Sequence, residues 1–122
     1  KPIIIQSYIK EALTGDKRIL LLNGDPLGAV LRVHTSDDHR NNLFAGGKSD
    51  KTIITSRDKE IISVLKPHLQ SLGLYFVGID IIGDYLIEVN VTSPTCIQEM
   101  SILENRSLSE DVIQFIESRI NT

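Results

Sequence analysis

At 122 residues the sequence is long enough for one domain that buries about two-thirds of the surface its unfolded chain would expose. Its net charge of −3, with no more than two adjacent Lys or Arg residues anywhere, indicates a protein without a nucleic-acid partner. A single cysteine, Cys96, rules out an internal disulfide and is typical of the cytoplasm, and no apolar run reaches the ~20 residues that span a membrane.

The first third of the chain predicts three strands. The sequence begins with Lys1 rather than Met and opens directly on an apolar, β-branched segment, so we expect a strand over residues 3–9 and a chain cut from a longer protein. An apolar run over residues 18–22 is followed by Asn23-Gly24, a strong hairpin signal, and residues 27–33 supply the return strand. Arg18 and Arg32 stand at the ends of these strands, where the pattern alone would leave them as edge charges in solvent.

The segment from about residue 34 to residue 50 has no periodic pattern. Its first nine residues are all polar, and Gly46-Gly47-Lys48 follows soon after. A long loop without secondary structure inside a small domain is commonly functional, often as a lid, and paired glycines let backbone N–H groups approach an anion. We therefore expect a lid here.

The second half of the chain predicts helices on either side of a hairpin. One helix should begin near Ser56, which can cap it, and end before Gly73. Two strands over residues 74–90 turn at Gly83-Asp84, and a loop over residues 92–95 leads to helices over residues 96–104 and 107–120. The buried stripe of the first helix is predicted to be Ile61, Leu65, Leu69 and Leu72.

The register of the second hairpin decides which side chains share a face. A two-residue turn at Gly83-Asp84 would place Asp80 opposite Ile87 and mix charge with hydrocarbon on both faces. An odd loop that includes Tyr85 places Asp80 opposite Glu88 instead. Side chains alternate between faces, so Ile79, Ile81, Ile87 and Val89 then line one apolar face. We therefore predict the odd loop.

In that register Asp80, Glu88 and Asn90 cluster on the other face of the hairpin. Two carboxylates within a few ångströms repel each other, and a hard divalent cation with oxygen ligands would resolve the repulsion. A solvent-facing surface with hydrated charges would resolve it as well. The pattern alone leaves both interpretations open.

The sequence over these residues closely resembles the C-terminal signature of prokaryotic glutathione synthetases, which are ATP-grasp ligases. The resemblance rests on Val77-Gly78-Ile79-Asp80-Ile81-Ile82-Gly83-Asp84 and on Glu88-Val89-Asn90-Val91-Thr92-Ser93-Pro94-Thr95-Cys96. It extends to Gly15-Asp16-Lys17-Arg18, Asn23-Gly24-Asp25-Pro26 and the lid residues, and it weakens after about Met100. It implies an α+β fold: the C-terminal ATP-grasp subdomain over residues 1–122, a largely antiparallel sheet with flanking helices.

The resemblance also implies roles for individual residues. Asp80, Glu88 and Asn90 would bind Mg²⁺, or Mn²⁺ in its place, and Arg18 and Arg32 would be the catalytic arginines that stabilise the transferred phosphoryl group. The remaining roles are nucleotide binding by Gln6, Ser7, Tyr8, Ile9 and Asn90, the lid by Arg40, Asn42, Gly46, Gly47 and Lys48, and the glycine site by Ser93, Pro94 and Thr95. Lys48 stands where the family commonly has arginine, which would alter a bidentate contact there.

The implied reaction joins γ-glutamylcysteine to glycine with ATP as the second substrate, through an acyl-phosphate, in a cytoplasmic homo-oligomer. Residues 1–122 alone are expected to be inactive. Two alternatives stay open: an ATP-grasp ligase with another amino-acid specificity, and a non-catalytic binding module that has kept the fold.

Overall fold

The protein is built around one five-stranded antiparallel sheet, in a computed structural model that describes residues 1–34 and 47–121. The strands are β1 (Asp16–Leu22), β2 (Asp25–His34), β3 (Gly47–Asp50), β4 (Phe76–Ile82) and β5 (Tyr85–Asn90), in the spatial order β3-β2-β1-β4-β5. The helices are α1 (Ser56–Ser71), α2 (Ile97–Glu104) and α3 (Leu108–Ile120), and a 3₁₀ helix covers Lys10–Thr14. The predicted α+β class with an antiparallel sheet is confirmed.

The helices cover the two faces of the sheet and form two separate cores. On one face α1 packs Ile61, Ile62 and Leu69 against buried residues of the central strands, among them Ile19 and Ile79. On the other face α2 and α3 contribute the core residues Met100 and Leu108, which pack with Leu20, Leu27, Val30 and Cys96. No helix in the described part of the chain is long and apolar enough to cross a membrane.

Both hairpins combine a two-residue turn with a bulge of one residue. Asn23 and Gly24 have φ values of 52° and 81°, the positive pair that a type I′ turn requires. Leu20 then pairs with Gly28 while Leu21 pairs with Pro26, which leaves Leu27 as the extra residue of β2.

The second hairpin also combines a two-residue turn with a bulge, but of its two turn residues Gly83 has a positive φ and Asp84 does not. Gly83 has a φ of 58°, Ile82 pairs with Tyr85, and the register shifts between Ile81 and Asp80, which leaves Ile87 as the extra residue of β5. The predicted odd loop is therefore wrong. The predicted pairing of Asp80 with Glu88 is confirmed, but the bulge produces it rather than the loop.

The face opposite Asp80 also differs from its prediction. Leu86, not Ile87, stands opposite Ile81. Ile79 and Ile81 are buried as predicted, whereas Ile87 and Val89 are about 40% exposed (40% and 39%) because β5 is the last strand of the sheet. The apolar alternation of β5 therefore predicts which face of the sheet its side chains occupy, but not how deeply they are buried.

The predicted strand over residues 3–9 is wrong, because the structure has no regular secondary structure there. Its isoleucines Ile3, Ile4 and Ile5 are 78–88% exposed. β-Branched residues favour a strand only where a partner strand accepts their hydrogen bonds, and in the described residues the edge strands β3 and β5 do not pair with this segment.

The ends of α1 explain two further differences from prediction. The N-cap is Thr55 rather than Ser56, because the Thr55 hydroxyl accepts from the backbone of Asp58 while the Asp58 carboxylate accepts from the backbone of Thr55. At the other end Leu72 is the C-cap and is 70% exposed, so Ile62 replaces it in the buried stripe. Gly73 follows with a φ of 68°, as predicted for the stop of the helix.

Asp58 also ties α1 to the sheet, and its removal should destabilise the protein. It is 1% exposed, and the Lys17 ammonium of β1 donates to its carboxylate at 2.5 Å. We expect Asp58→Ala to lower the free energy of unfolding by about 3 kcal/mol, since it removes half of the capping box and the acidic partner of a partly buried lysine, which keeps only the Ile53 carbonyl. Urea denaturation measures this loss.

Asp25→Ala is the matched control. Asp25 pairs with Lys66 at 2.6 Å, but its side chain is 66% exposed, so its loss should cost about 0.5 kcal/mol or less. Equal losses in the two variants would contradict the role given to Asp58.

Candidate active site

The charged residues of the central strands lie on one face of the sheet. Along β1 side chains alternate, so Asp16, Arg18 and Leu20 point toward the side that α2 and α3 cover, while Ile19 and Leu21 pack under α1. Leu20 lies beneath the helices, and Asp16 and Arg18 lie toward the far end of the strand. One face of the sheet therefore has an apolar half under helices and a charged half beside it.

The centre of the charged half is the Asp80 carboxylate, which is 3% exposed. Arg18 donates to it twice, from Nε to Oδ1 at 2.8 Å and from Nη2 to Oδ2 at 2.8 Å. Arg32 Nη2 lies 3.1 Å from the same Oδ2. A buried carboxylate is costly without cationic partners, and here two guanidinium groups supply them.

Arg32 has a second acidic partner in Asp16, directly opposite it in the β1–β2 pair. Its Nε donates to Asp16 Oδ1 at 3.1 Å and its Nη2 donates to Asp16 Oδ2. Burial raises the pKa of the Asp16 carboxyl, against the lowering effect of Arg32. Burial would lower the pKa of Arg32, but the hydrogen bond and charge of Asp16 and the charge of Asp80 raise it, so the guanidinium stays protonated.

Arg18 connects the cluster to the loop that follows β5. Its Nη1 donates to Thr95 Oγ1 at 2.9 Å. The neighbouring Pro94 is buried, and a Cβ built on Gly78 of β4 would lie 2.8 Å from Pro94 Cβ. Ser93 is exposed with a φ of 47°. The structure thus brings Thr95 and Pro94 to the cluster and leaves Ser93 at the surface.

β5 adds the last two predicted ligands. Glu88 stands opposite Asp80 and is exposed, and Asn90 stands opposite Gly78 and is half-buried. With the amide oriented to satisfy both neighbours, Asn90 Oδ1 accepts from Arg18 Nη2 at 3.0 Å and Nδ2 donates to Glu88 Oε1 at 2.9 Å. Asp80, Glu88 and Asn90 therefore lie together on one face, as the alternation predicted.

These three residues fit a hard divalent cation by their donor chemistry. Two carboxylates and an amide oxygen are ligand types that Mg²⁺ takes in proteins. Exposed Glu88 and half-buried Asn90 present those donors at the surface, beside buried Asp80. In the described residues no three His, Cys, Asp or Glu side chains are grouped as a metal site.

The predicted nucleotide-binding and lid residues lie elsewhere or outside the described part. An open surface pocket of about 500 Å³ is lined by Ser7, Tyr8, Ile9, Lys10, Glu11 and Tyr85, and Gln6 is exposed beside it. Gly47 begins β3, and Lys48 pairs opposite Val33 with its ammonium 3.4 Å from Asp50, so it is not brought to Arg32. Arg40, Asn42 and Gly46 lie outside the described residues.

Asp16 is the member of the cluster that received no role from the sequence. It stands in the Gly-Asp-Lys-Arg motif two residues before Arg18, and this spacing puts both on one face of a strand. The Asn23-Gly24 turn alone does not predict that Asp16 pairs with Arg32. A hairpin without a bulge would have placed Asp16 opposite Leu31.

Comparison with known proteins shows the family of the chain. The sequence model of the prokaryotic glutathione synthetase ATP-grasp domain matches residues 1–105. The chain belongs to this family. Its relatives include proteins named glutathione synthetase from Synechocystis sp. (53% identical over 119 residues), Nostoc sp. (50% over 119) and Synechococcus elongatus (49% over 120).

Each of these alignments covers 98% of the chain but 37% of the relative. The chain thus spans little more than a third of the glutathione synthetases that it matches. The resemblance inferred from the hairpin and its flanking motifs is confirmed, and the matched region contains the whole charged cluster.

Gly78 allows the Pro94 loop to lie against the sheet, so Gly78→Ala should disturb the cluster. Its new methyl group would meet Pro94 at 2.8 Å and push the loop away from β4. We expect the free energy of unfolding to fall by about 1–3 kcal/mol, measured by urea denaturation. Pro94→Gly removes the opposing Cβ, so in that background the same Gly78→Ala change should cost less than it does in the wild type. An equal cost of Gly78→Ala in both backgrounds would show that the contact is not the cause.

Proposed function

We propose that the full-length protein carrying this chain is a glutathione synthetase: an ATP-dependent, ADP-forming ligase that joins γ-glutamylcysteine to glycine through an acyl-phosphate. Residues 1–122 would form its C-terminal ATP-grasp subdomain, with the lid over about residues 34–50, of which Gly47–Asp50 form strand β3 rather than the predicted loop. The observation that carries the proposal is the buried Asp80 carboxylate, held by Arg18 and Arg32 next to Glu88 and Asn90. Family membership supports it independently.

Arg18 and Arg32 are the catalytic groups in this proposal. Phosphoryl transfer and acyl-phosphate formation place negative charge on oxygens, and fixed guanidinium groups in a site away from water stabilise that charge strongly. Both arginines are already ordered by carboxylates, with side chains only 8% and 10% exposed, so little reorganisation is needed when a phosphate arrives.

Asp80, Glu88 and Asn90 would hold Mg²⁺, or Mn²⁺ in its place. When bound, such a cation neutralises the phosphate oxygens of ATP. Glu88 is suited to this role because it is the exposed carboxylate of the cluster, and Asn90 is suited because its amide joins Glu88 to Arg18. Asn90 would then also touch the nucleotide.

The other substrate contacts are assigned by family resemblance, with support from the structure at two places. The pocket lined by Ser7, Tyr8 and Ile9 would accept the adenine, and Gln6, the residue before Ser7, would contact the nucleotide with them. Ser93, Pro94 and Thr95 would lie near the glycine, since Thr95 is already bonded to Arg18. Arg40, Asn42, Gly46, Gly47 and Lys48 would belong to the lid that excludes water.

We also propose that the full-length enzyme is a cytoplasmic homo-oligomer. The free thiol of Cys96 supports only the reducing compartment. Cys96 would have no catalytic part. It is buried in the core with Met100 and Leu108, and this chemistry needs charge neutralisation rather than a nucleophilic thiol.

A substrate screen on the full-length protein tests the proposal. ADP release should require γ-glutamylcysteine and glycine together, with glutathione as the product. Glu88→Gln should lower kcat/KM at least about 100-fold, because it removes a charged ligand at the reacting phosphates. Glu117→Gln on α3, an exposed glutamate on another element, is the matched control and should change kcat/KM less than twofold.

The polypeptide of residues 1–122 alone should form no glutathione. ADP release that depends on a different acid and amine would replace this function with another ATP-grasp ligase. Full-length protein that binds Mg-ADP equally well with and without Glu88 and releases no ADP would instead indicate a non-catalytic module.

A further inference from the structure

The two arginines at Asp80 differ in how many acidic partners they have. Arg18 makes both of its charged hydrogen bonds to Asp80, and its other partners, Thr95 and Asn90, are neutral. Arg32 makes two hydrogen bonds to Asp16 and a single contact with Asp80. Asp80 therefore depends on Arg18 more than on Arg32.

This difference matters because Asp80 has two possible uses. In the structure it neutralises arginines, and in the proposed function it is also a ligand of a divalent cation. A guanidinium and a metal ion compete for the same carboxylate oxygens, because each contact of one reduces the attraction available to the other. Any residue that limits the contact of a guanidinium with Asp80 therefore favours binding of the cation there.

Asp16 has the position to exert that restraint. It is 6% exposed, directly opposite Arg32 in the β1–β2 pair, and it engages Nε and Nη2 of the guanidinium. Asp16, Arg18, Arg32 and Asp80 together carry no net charge. Without Asp16 the buried set would be positive, and Arg32 would keep Asp80 as its only acidic partner among the described residues.

We propose that Asp16 is a positioning residue: from β1, the strand between β2 and β4, it engages Nε and Nη2 of the Arg32 guanidinium, limits the contact of Arg32 with Asp80 to the shared Nη2, and so keeps the Asp80 carboxylate available to a divalent cation. This inference rests on the proposed function, which supplies the cation. It adds a residue to the site that touches neither substrate nor metal.

Mn²⁺ binding to the full-length protein, without nucleotide or substrates, tests the proposal directly. Titration calorimetry or electron paramagnetic resonance gives the dissociation constant. Asp16→Asn should weaken Mn²⁺ binding by about 10–100-fold, the usual effect of losing a partner behind the ligands. In activity assays the Mg²⁺ concentration for half-maximal rate should rise in parallel, while the KM for glycine changes less than twofold.

The double variant Asp16→Asn/Arg32→Gln separates positioning from a merely structural role. It removes the Arg32 guanidinium, which competes for Asp80, together with the Asp16 carboxylate that restrains it. The buried charges that remain, Arg18 and Asp80, still sum to zero. Its Mn²⁺ affinity should return to within about threefold of wild type or exceed it, whatever its turnover. If Asp16→Asn alone does not fold, the double variant still decides the test. A double variant that binds Mn²⁺ more than tenfold more weakly than the wild type overturns the proposal.

Asp58→Asn is the control for general destabilisation, because it neutralises another buried carboxylate on a different element. It should lower the melting temperature and leave Mn²⁺ affinity within twofold. Wild-type affinity in Asp16→Asn, or an equal loss in Asp58→Asn, overturns the proposal. A wild-type protein that binds Mn²⁺ but makes no glutathione refutes the proposed function instead, and the Asp16 measurement then still decides the inference.

Discussion

The Asp80 carboxylate is buried in the middle of the sheet, and the charged half of the site is arranged around it. Its burial would be unfavourable by several kcal/mol without partners, so the sheet places an arginine of β1 and an arginine of β2 against it. These arginines in turn engage Asp16, Thr95 and Asn90. One desolvated charge thereby orders groups from four segments of the chain before any ligand arrives.

Two bulges make this arrangement possible. Each hairpin turns in two residues, which suits the twist of the strands, but the register of such a turn would place Asp16 opposite Leu31 and Asp80 opposite Ile87. An extra residue in each return strand, Leu27 or Ile87, moves every pair beyond it by one. In the first hairpin the shift places Asp16 opposite Arg32. In the second hairpin it places Asp80 opposite Glu88. Bulges are commonly found next to active sites, where they redirect side chains.

Alternation was enough to predict that Asp80, Glu88 and Asn90 share a face. Family motifs were enough to select Arg18 and Arg32, which the structure places against Asp80, while their catalytic role stays a prediction. The bulges could not be predicted, because turn chemistry and apolar alternation give conflicting registers and only the folded sheet reconciles them. The isoleucines of residues 3–5 show a second limit, since strand propensity does not supply a partner strand. Asp16 shows a third: a sequence gives the face of a side chain but not the distance to its neighbour across a shifted register.

The central claim is that Asp80 and Glu88, brought opposite each other by the β5 bulge, bind a divalent cation while Arg32 stays on Asp16. Crystals of the full-length protein with Mn²⁺ and a non-hydrolysable ATP analogue test it through the anomalous signal of manganese. We predict a peak at direct ligand distance, about 2.0–2.6 Å, from oxygens of Asp80, Glu88 and Asn90, with the Arg32–Asp16 hydrogen bonds intact. A manganese peak that contacts neither carboxylate, or Arg32 detached from Asp16 and paired with Asp80, would contradict it.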